Sequence, residues 1–286
     1  MKGQSSDAGD DGLDTAQWNE VAQGWSDSAP IIRSWLHEPT QAMLRMAGVG
    51  PDYQVLDVAA GAGDQTLDLA ERVGAGGYVL ATDLAPEILR FAARQAAVAG
   101  HRNVATRVCD GQKLQVESAK FDAVICRLGL MFFLDPLRGL SEMARVLKPG
   151  GRACTLVFGP PQDNPCITTL VSIASRHAGL PPRDPFQPGG LLSLGKPGLI
   201  DELFRAAGFH GIATASIAAP FRLPSVKDYI KFVRTSAGPV VQLLQSLDAA
   251  SAEAAWTEME SVLSRYETPA GWEGPNALLL TSARRP

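Results

Sequence analysis

The sequence predicts an α/β protein built on a doubly wound, mostly parallel sheet. Three observations predict it. Strand-like and helix-like stretches alternate from residue 53 to 158. The first strand runs straight into a glycine-rich turn at Gly61 and Gly63. Three successive strands end at an acid: Asp57, Asp83 and Asp110. Carboxylates lined along one sheet edge are rarely accidental, because each needs a partner to offset its burial.

The elements follow in order. Residues 1–13, rich in Gly, Ser and Asp, are expected to be disordered. Residues 14–48 read as helical and carry Trp18, Trp25 and Trp35. Val55, Leu56 and Val58 make the short apolar run of a strand covered on both faces, with Asp57 interrupting it. Asp64 caps the next helix, in which Leu67, Ala70 and Val73 share a face. Strands are then expected at Tyr78–Thr82, Val104–Cys109 and Phe121–Cys126, the last leading into Arg127. Asp135-Pro136 starts a helix carrying Leu137, Leu140, Met143, Ala144 and Leu147 at helical spacing. The segment from Arg145 to Gly151 closes that helix with a Pro-Gly-Gly turn, and Asp122 opens a strand away from the acidic edge, so both are read as structural. A fifth strand is expected at Ala153–Phe158, a helix at Pro197–Ala207 closed by Gly208, a sixth strand at Ile212–Ala218 and a seventh at Asn276–Ala283.

Two stretches exceed a minimal fold. Residues 159–196 are loaded with proline and glycine and leave the fifth strand at the ligand edge. Residues 224–272 read as mostly helical, with Ala252, Ala255, Trp256, Met259, Leu263 and Tyr266 on one face, expected to pack onto the sheet domain. The organisation expected is therefore a helical cap over 14–48, a core over 49–223 and 273–286 with the insertion 159–196, and a helical insertion or lid over 224–272.

The glycine turn, followed by a helix N-terminus at the carboxyl end of a strand, is a nucleotide-type site. Asp83 lies 20 residues after Gly63, the spacing at which a second-strand acid reaches ribose hydroxyls. A dinucleotide is disfavoured, because Thr66 stands where the third glycine of a G-x-G-x-x-G turn would fall. Lys and Arg are also absent between Tyr53 and Asp68. Such a pocket suits a ligand with ribose, amine and positive charge better than a diphosphate.

These residues together with Phe121-Asp122-Ala123 and Arg145-Val146-Leu147-Lys148-Pro149-Gly150-Gly151 resemble the class I S-adenosylmethionine-dependent methyltransferases. Within them the chain is most similar to the ubiquinone/menaquinone-biosynthesis C-methyltransferase group, clearly over roughly residues 15 to 160. The resemblance implies a Rossmann-like seven-stranded sheet whose last strand is antiparallel. It implies S-adenosylmethionine as cofactor and S-adenosylhomocysteine as product. Asp57 would help hold the cofactor's amino group, directly or through water. Ala59, Gly61 and Gly63 would pass under its methionine part, and Asp83 with Leu84 would meet the ribose. Asp110, Gly111 and Gln112 would face the adenine, and Arg127 the methionine moiety. The acceptor pocket would draw on Trp18, Trp25, Met131, Phe132 and Phe158, with Phe133 nearby, and would favour a flat, largely apolar small molecule. Quinone-methylating relatives carry Arg and Asn after the Gly-Leu that follows the fourth strand; here Gly129-Leu130 leads to Met131 and Phe132.

Methyl transfer is an in-line displacement that demands alignment and exclusion of water. A phenolic, quinone-like or thiol acceptor must also lose a proton, which a base would accept. Of the four histidines, His101 and His210 read as surface or structural, leaving His37 and His177 as candidate bases. An acceptor that arrives ionised would need neither.

Composition fits a soluble, cytoplasmic small-molecule enzyme, monomeric or homodimeric. The 286 residues are 45% apolar, and 26 basic against 30 acidic side chains give a net charge of −4. The basic residues are scattered, which argues against a nucleic-acid partner. Cys109, Cys126, Cys154 and Cys166 show no metal-ligand spacing, so no metal is expected. Free buried thiols suit a reducing compartment. No apolar run approaches a transmembrane length and no signal peptide is evident. The rival readings are a non-catalytic partner protein that binds the cofactor or its product, and a nicotinamide-dependent oxidoreductase on the same sheet.

Overall fold

The computed structural model describes residues 23, 24, 27–182 and 184–286. The expected tail over 1–13, Trp18 and Trp25 lie outside the described residues.

Helix α1 (Ala29–Met46) precedes β1 (Gln54–Val58), α2 (Asp64–Val73), β2 (Tyr78–Asp83), α3 (Pro86–Val98) and β3 (Val104–Val108). Then come β4 (Phe121–Arg127), α4 (Pro136–Val146), β5 (Leu147–Phe158) and α5 (Pro165–His177). The chain continues through α6 (Leu199–Ala206), β6 (His210–Ala218), β7 (Phe221–Leu223), α7 (Val226–Ser236), α8 (Gly238–Leu244) and α9 (Ala249–Leu263). It closes with β8 (Glu267–Thr268), β9 (Gly271–Gly274) and β10 (Ala277–Arg284).

Seven strands form one sheet in the order β3-β2-β1-β4-β5-β10-β6. The first five run parallel; β10 inserts between β5 and β6 and runs antiparallel to both. The order reverses between β1 and β4, which pair through Val55↔Ala123 and Asp57↔Ile125. Doubly wound sheets open their ligand crevice beyond the carboxyl ends of the strands at such a reversal. This seven-stranded, Rossmann-like architecture is the one the sequence predicts.

The core forms because β1, β2 and β4 are buried on both faces. Val55, Leu56, Val79, Val124 and Ile125 are at most 4% exposed. Burying such branched side chains contributes about 1.5–3 kcal/mol each before the entropy of ordering them is subtracted. On α2 the buried stripe is Thr66, Leu69, Ala70 and Val73, and Leu67, expected on it, sits at its margin. The stripe is headed by a polar residue, which a search for apolar spacing passes over. Strand β5 begins earlier than expected. Leu147 pairs with Phe121, the register then shifts, and Arg152 pairs with Ala123. The Pro-Gly-Gly stretch is thus a bulge inside the strand, with Gly150 left-handed at φ 78°.

Residues 159–196 contain α5, a helix that the flanking prolines and glycines conceal in the sequence. It starts with Pro165 at its first turn, where the missing N–H costs nothing, and buries Cys166, Ile167, Leu170 and Ile173. Helix α9 packs on α5 and α7 rather than directly on the large sheet. Its predicted stripe holds: Ala255, Trp256, Met259 and Leu263 are buried. A second sheet, β7-β9-β8, buries Trp272, whose Nε1 donates to the Leu263 carbonyl at 2.8 Å. No helix of the described residues is long and apolar enough to cross a membrane.

Candidate functional site

The principal cleft opens where β1 and β4 end. Its floor is the turn after β1. Ala59 adopts φ 54° and Gly61 φ 58°, and on the neighbouring strand Leu128 adopts φ 55°. Two non-glycine residues in the left-handed region at adjacent strand ends represent strain of about 1–3 kcal/mol each, of the kind that collects at ligand sites. Gly129 explains part of the packing: a Cβ there would lie 2.4 Å from the Ala59 Cβ. Gly63, left-handed at φ 86°, starts α2 at its N-cap, and a Cβ on it would lie 2.7 Å from the Ala92 Cβ. Gly63 therefore lets α2 and α3 approach, the packing job a dinucleotide turn gives to its third glycine.

The three sequence-predicted acids divide by environment. Asp57 is fully buried beneath the turn. Its Oδ2 accepts from the Thr66 hydroxyl at 2.6 Å and its Oδ1 from Gln65 Nε2 at 3.1 Å. Burial pushes its carboxyl up to about 6, against the lowering effects of Thr66, Gln65 and the Arg127 charge. It does not line the cleft. Asp57 thus acts on the turn from beneath, and a direct reach to a ligand amino group is not what this geometry offers. Asp83 does line the cleft. Its Oδ2 accepts from the Gly61 N–H at 2.9 Å and its Oδ1 from the Ala85 N–H at 3.0 Å. Burial raises its carboxyl, and these backbone donors oppose the rise. Asp110 lines the cleft beside Gly111 and Gln112, and its Oδ1 accepts from the Gln112 N–H at 2.8 Å. Gln112 in turn accepts the Asp135 N–H at 2.8 Å and so braces the start of α4.

Arg127 is 9% exposed and lines the cleft. Its Nη1 lies 2.9 Å from Asp64 Oδ2 and donates to the Thr40 hydroxyl at 2.8 Å. Asp64 is the first residue of α2, where the helix dipole favours an acid. It also meets Arg33 of α1 at 3.3 Å, and Arg33 reaches Asp68 at 3.1 Å. Helix α1 is thereby pinned across the cleft, contributing Ala29, Ile32 and Leu36 to its wall.

Opposite α1 stand Leu128, Phe132, Phe133 and Leu134. Phe133 is seated between two glycines: a Cβ on Gly111 would lie 2.3 Å from its ring, and one on Gly139 2.5 Å. The lining therefore mixes hydrogen-bonding groups, Asp83, Asp110 and Arg127, with apolar ones from α1 and from Phe132–Leu134, and Phe133 packs directly on Gly111.

Ala59, Gly61, Asp83, Leu84, Asp110, Gly111, Gln112 and Arg127 all line this cleft, and Gly63 stands at its edge as the N-cap. Phe132 lines it as well. Other expected residues lie elsewhere. Met131 faces the core at 2% exposure, and its carbonyl accepts from the Ser193 hydroxyl. Phe158 stacks on Trp35 at 6.1 Å as part of an aromatic cluster. His37 is solvent-exposed near Glu38, and His177 bonds Glu258 at 2.9 Å between α5 and α9. Neither histidine lines the cleft. Sequence reasoning missed Ile32, Leu36 and Thr40; the helical spacing 32-36-40 on an amphipathic helix was the only signal for them. Among the described residues no cluster of His, Cys, Asp and Glu suits a metal ion.

The chain's relatives agree with this geometry. The family described as a methyltransferase domain matches residues 55–151. The demethylmenaquinone methyltransferase of Deinococcus radiodurans is 33% identical over 168 residues, covering 55% of this chain and 68% of that protein. The ubiquinone/menaquinone biosynthesis C-methyltransferase UbiE of Bordetella parapertussis is 35% identical over 142 residues, 49% of this chain. The chain spans 55% of that protein's length. In fold, an N-methyltransferase of Haemonchus contortus solved with S-adenosylhomocysteine superposes with a TM-score of 0.59 at 17% identity, over 96% of this chain and 60% of that one. A turn that keeps two glycines, an acid at the ribose spacing and a relationship reaching across two thirds of a curated enzyme leave one assignment: this chain belongs to the S-adenosylmethionine-dependent methyltransferases.

Proposed function

We propose that the enzyme methylates a small, largely apolar aromatic acceptor of the quinol type, by in-line displacement. The observation that carries this reading is a single cleft lined both by hydrogen-bonding groups and by apolar residues of α1 and the Leu128–Leu134 segment. The hydrogen-bonding groups are a donor and acceptor set of the kind the cofactor requires. Asp83 offers carboxylate oxygens already oriented by two backbone N–H groups. Gly61, left-handed at φ 58°, gives the turn a backbone that L side chains rarely adopt. Among the described residues the contacts of the Arg127 guanidinium are made by Nη1, leaving Nε and Nη2 for a ligand.

Bound S-adenosylmethionine supplies an electrophilic methyl group on a sulfonium sulfur. Asp83 accepts from the ribose hydroxyls, Asp110 and Gln112 hold the adenine edge, and Arg127 pairs with the methionine carboxylate. Ile32, Leu36, Phe132 and Leu134 orient a flat acceptor and exclude water. The titratable groups at the cleft wall are Asp64, Asp83, Cys109, Asp110 and Arg127. Asp83 and Asp110 are committed to the cofactor and Asp64 to two arginines. Burial raises the Cys109 thiol, so it is no thiolate. Among the described residues none of these is a spare base, so the quinol's O–H proton would pass to solvent as the ring carbon displaces the sulfonium sulfur, and the ring C–H proton would follow it as aromaticity is restored. The names of the Deinococcus and Bordetella relatives support a quinone-related acceptor.

The test is incubation with methyl-labelled S-adenosylmethionine and a short-chain naphthoquinol, a simple catechol and a thiophenol in parallel, followed by mass spectrometry. Label on a ring carbon of the quinol is expected. Label confined to the thiol or to the catechol oxygen would replace the quinol reading. Tight S-adenosylhomocysteine binding with no label on any acceptor would favour a non-catalytic binder.

A further inference from the structure

We propose that Thr40 is a positioning residue that aims Arg127 at the cofactor and couples the docking of α1 to cofactor affinity. The inference rests on the reading that Arg127 pairs with the methionine carboxylate. Thr40 is fully buried, lies 87 residues from Arg127 in the chain and does not line the cleft. Its hydroxyl nevertheless accepts from Arg127 Nη1 at 2.8 Å, the same nitrogen that meets Asp64 at 2.9 Å. The hydroxyl accepts Nη1's hydrogen bond while Asp64 supplies the counter-charge, and together they hold the plane of the guanidinium. Among the described residues Nε and Nη2 make no hydrogen bond, and they form the fork a carboxylate can accept bidentately. With Asp64 alone the arginine could rotate about that single contact, and its free edge would have no set direction.

The link is non-local in a consequential way. Thr40 belongs to α1, which also sends Arg33 to Asp64 and Ile32 and Leu36 to the acceptor wall. Arg127 closes β4, at the opposite side of the sheet reversal. When α1 is seated, one helix both completes the acceptor wall and turns the arginine toward the cofactor. Affinity for the cofactor then reports whether α1 is docked. Thr40 is a better candidate for this than Arg33, whose side chain is 46% exposed and screened by solvent.

The experiment compares Thr40→Val, which keeps the shape and removes the hydroxyl, with Thr40→Ser, which keeps the hydroxyl and removes a methyl. S-adenosylhomocysteine binding to the full chain is read by titration calorimetry, with thermal melting alongside. Thr40→Val is expected to weaken binding by about tenfold, the loss typical of a hydrogen bond to a charged group. Thr40→Ser is expected to bind within about twofold of the parent. A purely structural role predicts the reverse, since the methyl is then what matters. Equal binding by Thr40→Val and the parent would overturn the proposal.

A double-mutant cycle with Arg127→Gln adds a second readout. If Thr40 acts through Arg127, the double variant binds no worse than Arg127→Gln alone; additive losses would also overturn it. Arg127→Gln separates this inference from the reading beneath it. Unchanged binding by Arg127→Gln would remove the carboxylate assignment itself. A loss there with none in Thr40→Val would remove only the positioning role. Should Thr40→Val fail to fold, Thr40→Ala in the same cycle decides the question.

Discussion

The Thr66 hydroxyl donates to Asp57 Oδ2 at 2.6 Å, with both residues buried, at the position where a dinucleotide-binding turn would carry its third glycine. A residue that looks like a missing glycine is thus a partner for the buried acid nine positions earlier. Together with Gln65 it lets Asp57 sit under the turn without a counter-charge in direct contact.

That burial has a pH signature. Asp57 titrates near 6 in the folded chain, above its ordinary 3.8. Between these values the folded state holds a proton that the unfolded state has lost, so stability falls as pH rises through this window and levels off above it. The size is about 3 kcal/mol from the two values. Asp57→Asn removes the group that titrates. Urea unfolding at pH 4, 5, 6 and 7 should show the parent losing stability relative to Asp57→Asn across the window. Parallel curves would mean that Asp57 does not titrate there.

Asp83 provides the complementary case, an acid held at the cleft surface for a ligand. Asp83→Asn keeps an oxygen to accept one of its backbone N–H groups, so folding should survive. S-adenosylhomocysteine affinity should drop about 100-fold, as two charge-assisted hydrogen bonds are weakened. Because burial raises the Asp83 carboxyl, affinity in the parent should also begin to fall at a higher pH than an ordinary aspartate would cause. Unchanged calorimetric affinity in the variant would refute the ribose assignment.

Gly63→Ala tests the packing role of the turn. Its Cβ would meet the Ala92 Cβ at 2.7 Å and Cα at 2.8 Å, at a left-handed φ of 86°. Overpacking and strain together should cost about 2–4 kcal/mol. Gly198→Ala, also left-handed at φ 80° but with nothing within 4 Å of its Cβ position, isolates the strain alone and should cost about 1–2 kcal/mol. Equal thermal shifts in the two variants would show that contact with Ala92 is not what demands glycine.

These cases show where the sequence was legible. The parallel sheet, the acids at three strand ends and the two-glycine turn are local patterns, and each could be read from neighbours in the chain. The partners of those acids could not. Thr66 and Gln65 have no periodic signature, and Thr40 reaches Arg127 across 87 residues, a contact that only the tertiary fold creates. Helix α5 was hidden because its prolines lie at its start, where they favour a helix rather than break it. Met131 and Phe158 are apolar residues near the cleft in sequence, and composition gives no way to tell a wall residue from a core residue.

The histidines illustrate the same limit. His177 ties α5 to α9 through Glu258, whose carboxyl is held low chiefly by that hydrogen bond. His37 is exposed beside Glu38. Replacing either by Ala should leave kcat within about twofold, since neither faces the cleft, where a general base would contribute 10²-fold or more. A hundredfold drop in kcat for His37→Ala or His177→Ala, with unchanged thermal stability, would restore that residue as the base.

The acceptor wall can be tested at its rim, where packing does not interfere. Leu134 lines the cleft yet remains 45% exposed, so the core does not depend on it. Leu134→Ser removes apolar surface that an aromatic acceptor would cover, and partial burial of a leucine is worth about 1 kcal/mol. KM for the acceptor should rise about fivefold, by the same conversion of energy to affinity. Melting temperature should stay unchanged, because the side chain is largely exposed. A change in S-adenosylhomocysteine binding would place Leu134 on the cofactor side of the cleft. An unaltered acceptor KM would show that the acceptor enters along α1, past Ile32, instead of over this rim.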